Sequence, residues 1–191
     1  MKTAYLVSGV AIVGVAMAAA ILVFAVPDAD PLDAGTLPVT RDALKAHVER
    51  APRDGRAWVL LARAELEADR FREAADAYER GLASSRKAAL DPGVWCEYAD
   101  ALGMAQGGRL EGRPRELIER ALALNAVHPR ALEMAGSAAY ERGDFAVAAR
   151  YWKQLLPQLA AGTPAHGELA AAVARAERKA AGRSPLTDRA G

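Results

Sequence analysis

Residues 55–81 read GRAWVLLARAELEADRFREAADAYERG, and residues 129–155 read PRALEMAGSAAYERGDFAVAARYWKQL. In the first stretch Trp58, Leu61 and Ala62 are followed, beyond a polar turn, by Phe71, Ala74 and Tyr78; in the second, Leu132, Ala135, Gly136 and Ala139 are followed by Phe145, Ala148 and Trp152. Apolar residues at steps of three and four place each half on one face of a helix. Small residues stand where two helices must approach, and large ones where the facing helix needs a knob. Each stretch therefore reads as an antiparallel helical hairpin. Trp58, Trp95 and Leu132 are 37 positions apart, which makes the hairpins successive units of an array.

These positions follow the tetratricopeptide pattern, Trp-x2-Leu-Gly-x2-Tyr on a first helix and Ala-x3-Phe on a second, within about 34 residues. The middle unit keeps Trp95, Tyr98, Ala99 and Leu102, then passes through Gln106-Gly107-Gly108-Arg109-Leu110-Glu111-Gly112-Arg113-Pro114 before its second helix at 116–124. Glu65 stands where the pattern has Tyr, Asp69 where the turn often has Gly, and Gly81 at a usual small-residue site. A helix over 41–50 resembles the second half of a preceding unit, and one over 166–181 a polar-faced terminal helix. The fold class is all-α: a right-handed tetratricopeptide solenoid over residues 41–181, behind one N-terminal transmembrane helix. Eight helices are predicted, near 41–50, 55–68, 71–87, 92–105, 114–124, 129–142, 145–158 and 166–181. The hairpins are 55–87, 92–124 and 129–158, and residues 182–191 form a flexible tail.

Between Tyr5 and Val26 lie 22 residues without a charge, YLVSGVAIVGVAMAAAILVFAV. A helix of that length covers the roughly 30 Å hydrocarbon core. The competing readings are a cleaved signal peptide, whose apolar region runs only about 7–15 residues, and a buried core helix. Lys2 before the run and Asp28, Asp30 and Asp33 after it put residues 1–4 in the cytoplasm and the array outside it, in the periplasm of a bacterium. Residues 27–40, with three prolines, form a linker.

Twenty-five Lys and Arg against 24 Asp and Glu leave no cationic surplus for a nucleic-acid backbone. A single cysteine excludes an internal disulfide and a Cys-x-x-Cys site. His47, His128 and His166 never fall at the i, i+4 spacing of a helical metal site. Gly107–Gly112 lacks the Gly-Lys-Ser/Thr of a phosphate loop, and Ser84-Ser85 has no arranged base. No catalytic residue, metal or cofactor is expected. An array of this kind offers instead a concave face made by its first helices. Trp58, Leu61, Trp95, Tyr98 and Ala135 are assigned to packing; Arg56, Val59, Arg63, Leu66, Cys96, Asp100, Met104, Glu133, Ser137 and Tyr140 are the candidate groove for an amphipathic helix. Arg56 and Arg63 at one end and Asp100 and Glu133 further along are expected to meet charges on the ligand.

The run Trp95–Gly112, with Leu117–Asn125 and His128–Leu132, closely resembles the tetratricopeptide domain of c-type cytochrome biogenesis proteins of the CcmI, CycH and NrfG types. Asp54–Trp58 and Tyr140–Phe145 share the likeness, which spans about residues 41–158. The Gln-Gly-Gly loop discriminates most, because it is no part of the general repeat. The resemblance implies a membrane-anchored periplasmic chaperone that binds apocytochrome c by its C-terminal helix and presents it to the haem lyase complex and other maturation proteins of the inner membrane. Many such relatives carry two membrane helices, whereas this sequence shows one. The alternative is a general envelope scaffold that organises a translocation or outer-membrane assembly complex.

Overall fold

The computed structural model describes residues 40–182. The predicted N-terminus, the anchor at 5–26, all but the last residue of the linker and most of the tail lie outside the described residues.

Among the described residues every regular element is helical: α1 (Arg41–Arg50), α2 (Gly55–Glu67), α3 (Phe71–Ser84), α4 (Arg86–Ala89), α5 (Pro92–Ala105), α6 (Arg113–Leu124), α7 (Pro129–Glu141), α8 (Phe145–Leu155), a 3-10 turn at Leu156–Gln158, and α9 (Pro164–Gly182). Local chemistry sets the starts. The side chains of Thr40, Asp54, Asp91 and His128 accept from backbone N–H groups of the first turns of α1, α2, α5 and α7. Pro92 and Pro129 stand where a helix start needs no donor.

Helices α2 and α3, α5 and α6, and α7 and α8 pair as hairpins. Consecutive hairpins stack through α3 on α5 and α6 on α7, with α1 and α9 closing the two ends against α2 and α8. Ala57, Ala62, Ala74, Ala99, Ala101, Ala121, Ala131 and Ala148 are fully buried, which lets neighbouring helices approach closely. At Gly136 the approach is closest: a Cβ there would fall 2.2 Å from Trp152 Nε1. Leu169, Ala172, Val173 and Ala176 form the buried stripe of α9, leaving its other face to water.

The first two units share a joinery the third lacks. Trp58 Nε1 donates to the Pro52 carbonyl at 2.9 Å and Trp95 Nε1 to the Ala89 carbonyl at 3.0 Å, each six positions upstream. Arg80 lies over the Trp58 ring at 4.9 Å and Arg120 over Trp95 at 6.0 Å. These equivalences show why the period is 37 rather than 34. In the first unit the extra residues sit after the second helix, in α4. In the second they sit between the helices, in the Gln106–Gly112 loop.

The structure differs from the sequence reading at the predicted 71–87 helix. It stops at Ser84; Ser85 turns extended, and its hydroxyl caps α4 by accepting from Ala88 N–H at 3.2 Å. Helix 145–158 tightens into a 3-10 turn where Pro157 enters. Asp69, at the turn position that often holds Gly, adopts φ +56°, as Gly143 does at φ +82° in the third unit.

Candidate functional site

The face to be weighed is the one presented by the first helices, α2, α5 and α7. Along it the structure builds two inter-unit ion pairs. Arg63 of α2 places its fork on Glu97 of α5, Nε to Oε2 at 3.0 Å and Nη2 to Oε1 at 3.1 Å. Arg130 of α7 bonds Asp100 of α5 through one nitrogen, and Glu133 of its own helix through the other at 3.4 Å. Burial works against both guanidinium charges, yet Glu97 holds Arg63, and Asp100 and Glu133 hold Arg130, more firmly protonated than usual. The buried Tyr78 hydroxyl is electrostatically coupled to the first pair. Burial, with the Glu97 charge second, raises its proton affinity far above that of a free phenol.

Arg63 on α2, Asp100 on α5 and Glu133 on α7 each have a partner inside the array rather than standing as free charges awaiting a ligand: Arg63 meets Glu97, and Asp100 and Glu133 meet Arg130. Glu97 and Arg130 were missed. The signal was present in the sequence: residues 34 and 30 positions apart, just short of one repeat, fall side by side on adjacent first helices.

Val59 and Cys96 are corrections. Val59 is buried against α3, with its Cγ2 2.8 Å from where a Cβ on Gly81 would stand, so the missing Gly81 side chain draws it inward. Cys96 is buried with its Sγ 3.9 Å from His128 Nδ1. Burial, aided by the Asp100 charge, pushes the thiol up to about 12, so it stays protonated and unreactive. Tyr140 is half-enclosed: Phe145 meets its ring edge-on at 5.0 Å, Trp152 lies at 5.6 Å, and Lys179 of α9 sits 4.7 Å over it. Leu66 is half-buried against the core, while Arg56 and Ser137 are half-exposed. Met104, at the end of α5, is 50% exposed and is the large apolar side chain of the set open to solvent.

Two of the histidines, His47 and His128, have structural work. His47 Nε2 meets Asp54 Oδ2 at 3.0 Å. Burial opposes ionisation of Asp54, but His47 and the N–H groups of Ala57 and Arg56 hold its carboxyl below the usual range. His128 Nδ1 accepts from Ala131 N–H at 3.3 Å, which fixes the neutral tautomer with its proton on Nε2. Burial lowers its proton affinity, against a smaller pull from Asp91. Among the described residues no three His, Cys, Asp or Glu side chains are grouped to hold a metal.

The Gln-Gly-Gly loop is a built element. Gln106 Nε2 donates to the carbonyls of Arg109 and Glu111, Gly107, Gly108 and Gly112 take positive φ, and Leu110 packs inward. Leu110 N–H donates to Glu141 Oε2 at 3.2 Å, tying the loop to α7 of the next unit. The loop therefore helps to set the spacing of the units.

The sequence model of the family described as "Cytochrome c-type biogenesis protein H TPR domain" matches residues 26–166. The chain belongs to that family. It is similar to the cytochrome c-type biogenesis protein CycH of Bradyrhizobium diazoefficiens, 32% identical over 131 residues, covering 69% of this chain and 35% of the relative. It is also similar to CycH of Pseudomonas aeruginosa, 27% identical over 154 residues, covering 78% of this chain and 37% of the relative. The chain thus spans little more than a third of the length of these relatives. Two crystal structures of MamA share the fold. One has a TM-score of 0.54 at 20% identity, covering 61% of this chain and 65% of that one; the other has a TM-score of 0.56 at 13% identity, covering 73% and 78%.

Proposed function

We propose that the chain works in c-type cytochrome maturation as a non-enzymatic chaperone and scaffold, anchored in the bacterial inner membrane with its array in the periplasm. It holds apocytochrome c by the C-terminal helix and presents it to the haem lyase complex. What carries the reading is the family match, which runs through α1–α8 and into α9 and includes the Gln106–Gly112 loop. The chemistry of the first-helix face is compatible with it. Its ion pairs close within the array, Arg63 on Glu97 and Arg130 on Asp100 and Glu133, and its exposed large apolar side chain is Met104, so a helix would be held by its apolar stripe more than by charge.

Immobilised full chain is to be mixed with apocytochrome c and, separately, with its C-terminal peptide. Retention of both is expected; retention of neither would sink the client assignment. A haem-stained gel of a deletion strain tests the pathway independently, and normal c-type cytochromes in that strain would favour a general envelope scaffold. Full-length protein kept with membranes through carbonate washing supports the anchor at residues 5–26, whereas release of a shortened form supports a cleaved signal.

A further inference from the structure

On the first-helix face, the joint between the second and third units is closed by a single guanidinium shared between two carboxylates. Arg130 reaches back to Asp100 of α5 and forward to Glu133 of its own helix, and the three side chains are 31%, 33% and 17% exposed. The charges do not balance, since one cation serves two anions. The surrounding groups do not correct this. On α5, Asp91, Cys96 and Glu97 add no cation, and Glu97 is taken by Arg63 of α2. On α7 the remaining titratable neighbour is His128, held neutral by its capping bond. From α6, Arg113 and Arg115 pair with Glu116 and Glu119, and Arg120 lies over Trp95. From α8 the contact is Trp152 Nε1, which donates to the Glu133 carbonyl at 3.3 Å.

We propose that Asp100, Arg130 and Glu133 form a proton-operated joint: a proton on Glu133 leaves Arg130 to Asp100 alone and tightens α5 against α7, stiffening the first-helix face as the surroundings acidify.

The electrostatics run the same way. Burial, with the Asp100 charge adding to it and Arg130 opposing, raises the Glu133 carboxyl above its ordinary value of 4.5. The folded chain then binds a proton that the unfolded chain does not, so this group adds stability as pH falls from neutral towards that value. His128 acts in the opposite sense. Its lowered proton affinity means that stability falls as pH drops below its ordinary value of 6.5. The whole-chain profile mixes the two, so the difference between the wild type and Glu133→Gln isolates the joint.

Urea unfolding of the full chain, followed by tryptophan fluorescence, is to be run between about pH 7.5 and about pH 5 for the wild type, Glu133→Gln and Asp100→Asn. The Glu133→Gln midpoint is expected to lie above the wild type by about 0.3 M urea at the neutral end, with the gap closing at the acid end. Asp100→Asn removes the inter-unit bond and the charge that opposes Glu133. Its midpoint should fall, and the gain on acidification should shrink, since burial of Glu133 remains but the Asp100 charge that adds to it is gone. A gap that is independent of pH, or a Glu133→Gln midpoint below the wild type at neutral pH, overturns the proposal, because a purely structural Glu133 would shift every point alike. Carboxyl carbon NMR of the wild-type chain gives a second reading that needs no variant. A Glu133 titration at or below the ordinary glutamate range also overturns it.

Discussion

Adding one methyl group at residue 136 should damage the third hairpin, while the same methyl at residue 167 should not. A Cβ on Gly136 would lie 2.2, 2.4 and 2.7 Å from Trp152 Nε1, Cδ1 and Cε2, and the indole is 4% exposed, so the ring has little room to withdraw. Any retreat also strains the bond from Trp152 Nε1 to the Glu133 carbonyl. Overpacking of this kind costs about 1–3 kcal/mol, and a weakened hydrogen bond adds about 1 kcal/mol. Replacing glycine inside a helix returns about 1 kcal/mol. Gly136→Ala should therefore destabilise by about 1–3 kcal/mol on balance. Nothing lies within 4 Å of a Cβ on Gly167, in α9, so Gly167→Ala should keep the propensity gain and leave stability equal or higher. Trp152 occupies the place that Tyr78 holds in the first unit, where Ala62 stands in place of Gly136. Trp152→Tyr in the Gly136→Ala background should thus recover part of the loss. Urea unfolding of the wild type, Gly136→Ala, Trp152→Tyr and the double variant supplies the cycle, with Gly167→Ala as the control. Equal effects of the two Gly→Ala changes, or no coupling between residues 136 and 152, would refute the packing argument.

Three further outcomes follow from the site. Arg63→Ala and Glu97→Ala should each lower stability by at most about 1 kcal/mol, in a salt-dependent and mutually coupled way, because the pair is more than a third exposed; salt-independent additivity in a double-mutant cycle would show that the pair contributes nothing. Met104→Glu should keep stability within about 0.5 kcal/mol and weaken apocytochrome peptide binding in titration calorimetry, whereas Tyr140→Ala should lower the unfolding midpoint through loss of its contacts with Phe145, Trp152 and Lys179; unchanged affinity in folded Met104→Glu would move the client elsewhere. His128→Asn should keep the α7 cap and remove the loss of stability that His128 contributes as pH falls below its ordinary 6.5, so a wild-type-like acid response in that variant would refute the cap assignment.

The three first helices were legible in the sequence because each is written twice, once in its apolar period and once in its cap. Asp54, Asp91-Pro92 and His128-Pro129 mark the starts of the three first helices, and the structure opens them at those residues. Ser85 was harder to read. Nothing in the period requires a break there, and it comes from the close approach of α2 and α3, where a Cβ on Gly55 would fall 2.6 Å from Ser85 Cβ. The face was legible only in part, for a related reason. A repeat pattern says which positions turn away from a helix's own hairpin partner; what the next unit brings to meet them depends on the rotation between units, which the period does not record. Cys96 was assigned to the groove, but the loop that opens the next unit covers it with His128. Arg63 and Asp100 were read as free charges, but the neighbouring first helices supply Glu97 and Arg130.

That pairing alters the account of recognition. A charge already held by a partner inside the array offers a ligand little net attraction, since binding would first have to break the existing pair. In the proposed function, orientation of a bound helix would then rest on shape and on the exposed Met104 side chain, with the surplus carboxylate of the Asp100–Arg130–Glu133 cluster as a charged feature. The inter-unit pairs and the bond from Leu110 N–H to Glu141 serve a different end. They fix how far apart α2, α5 and α7 stand, and in the proposed function this would prepare the face before a client arrives and lower the ordering cost of binding.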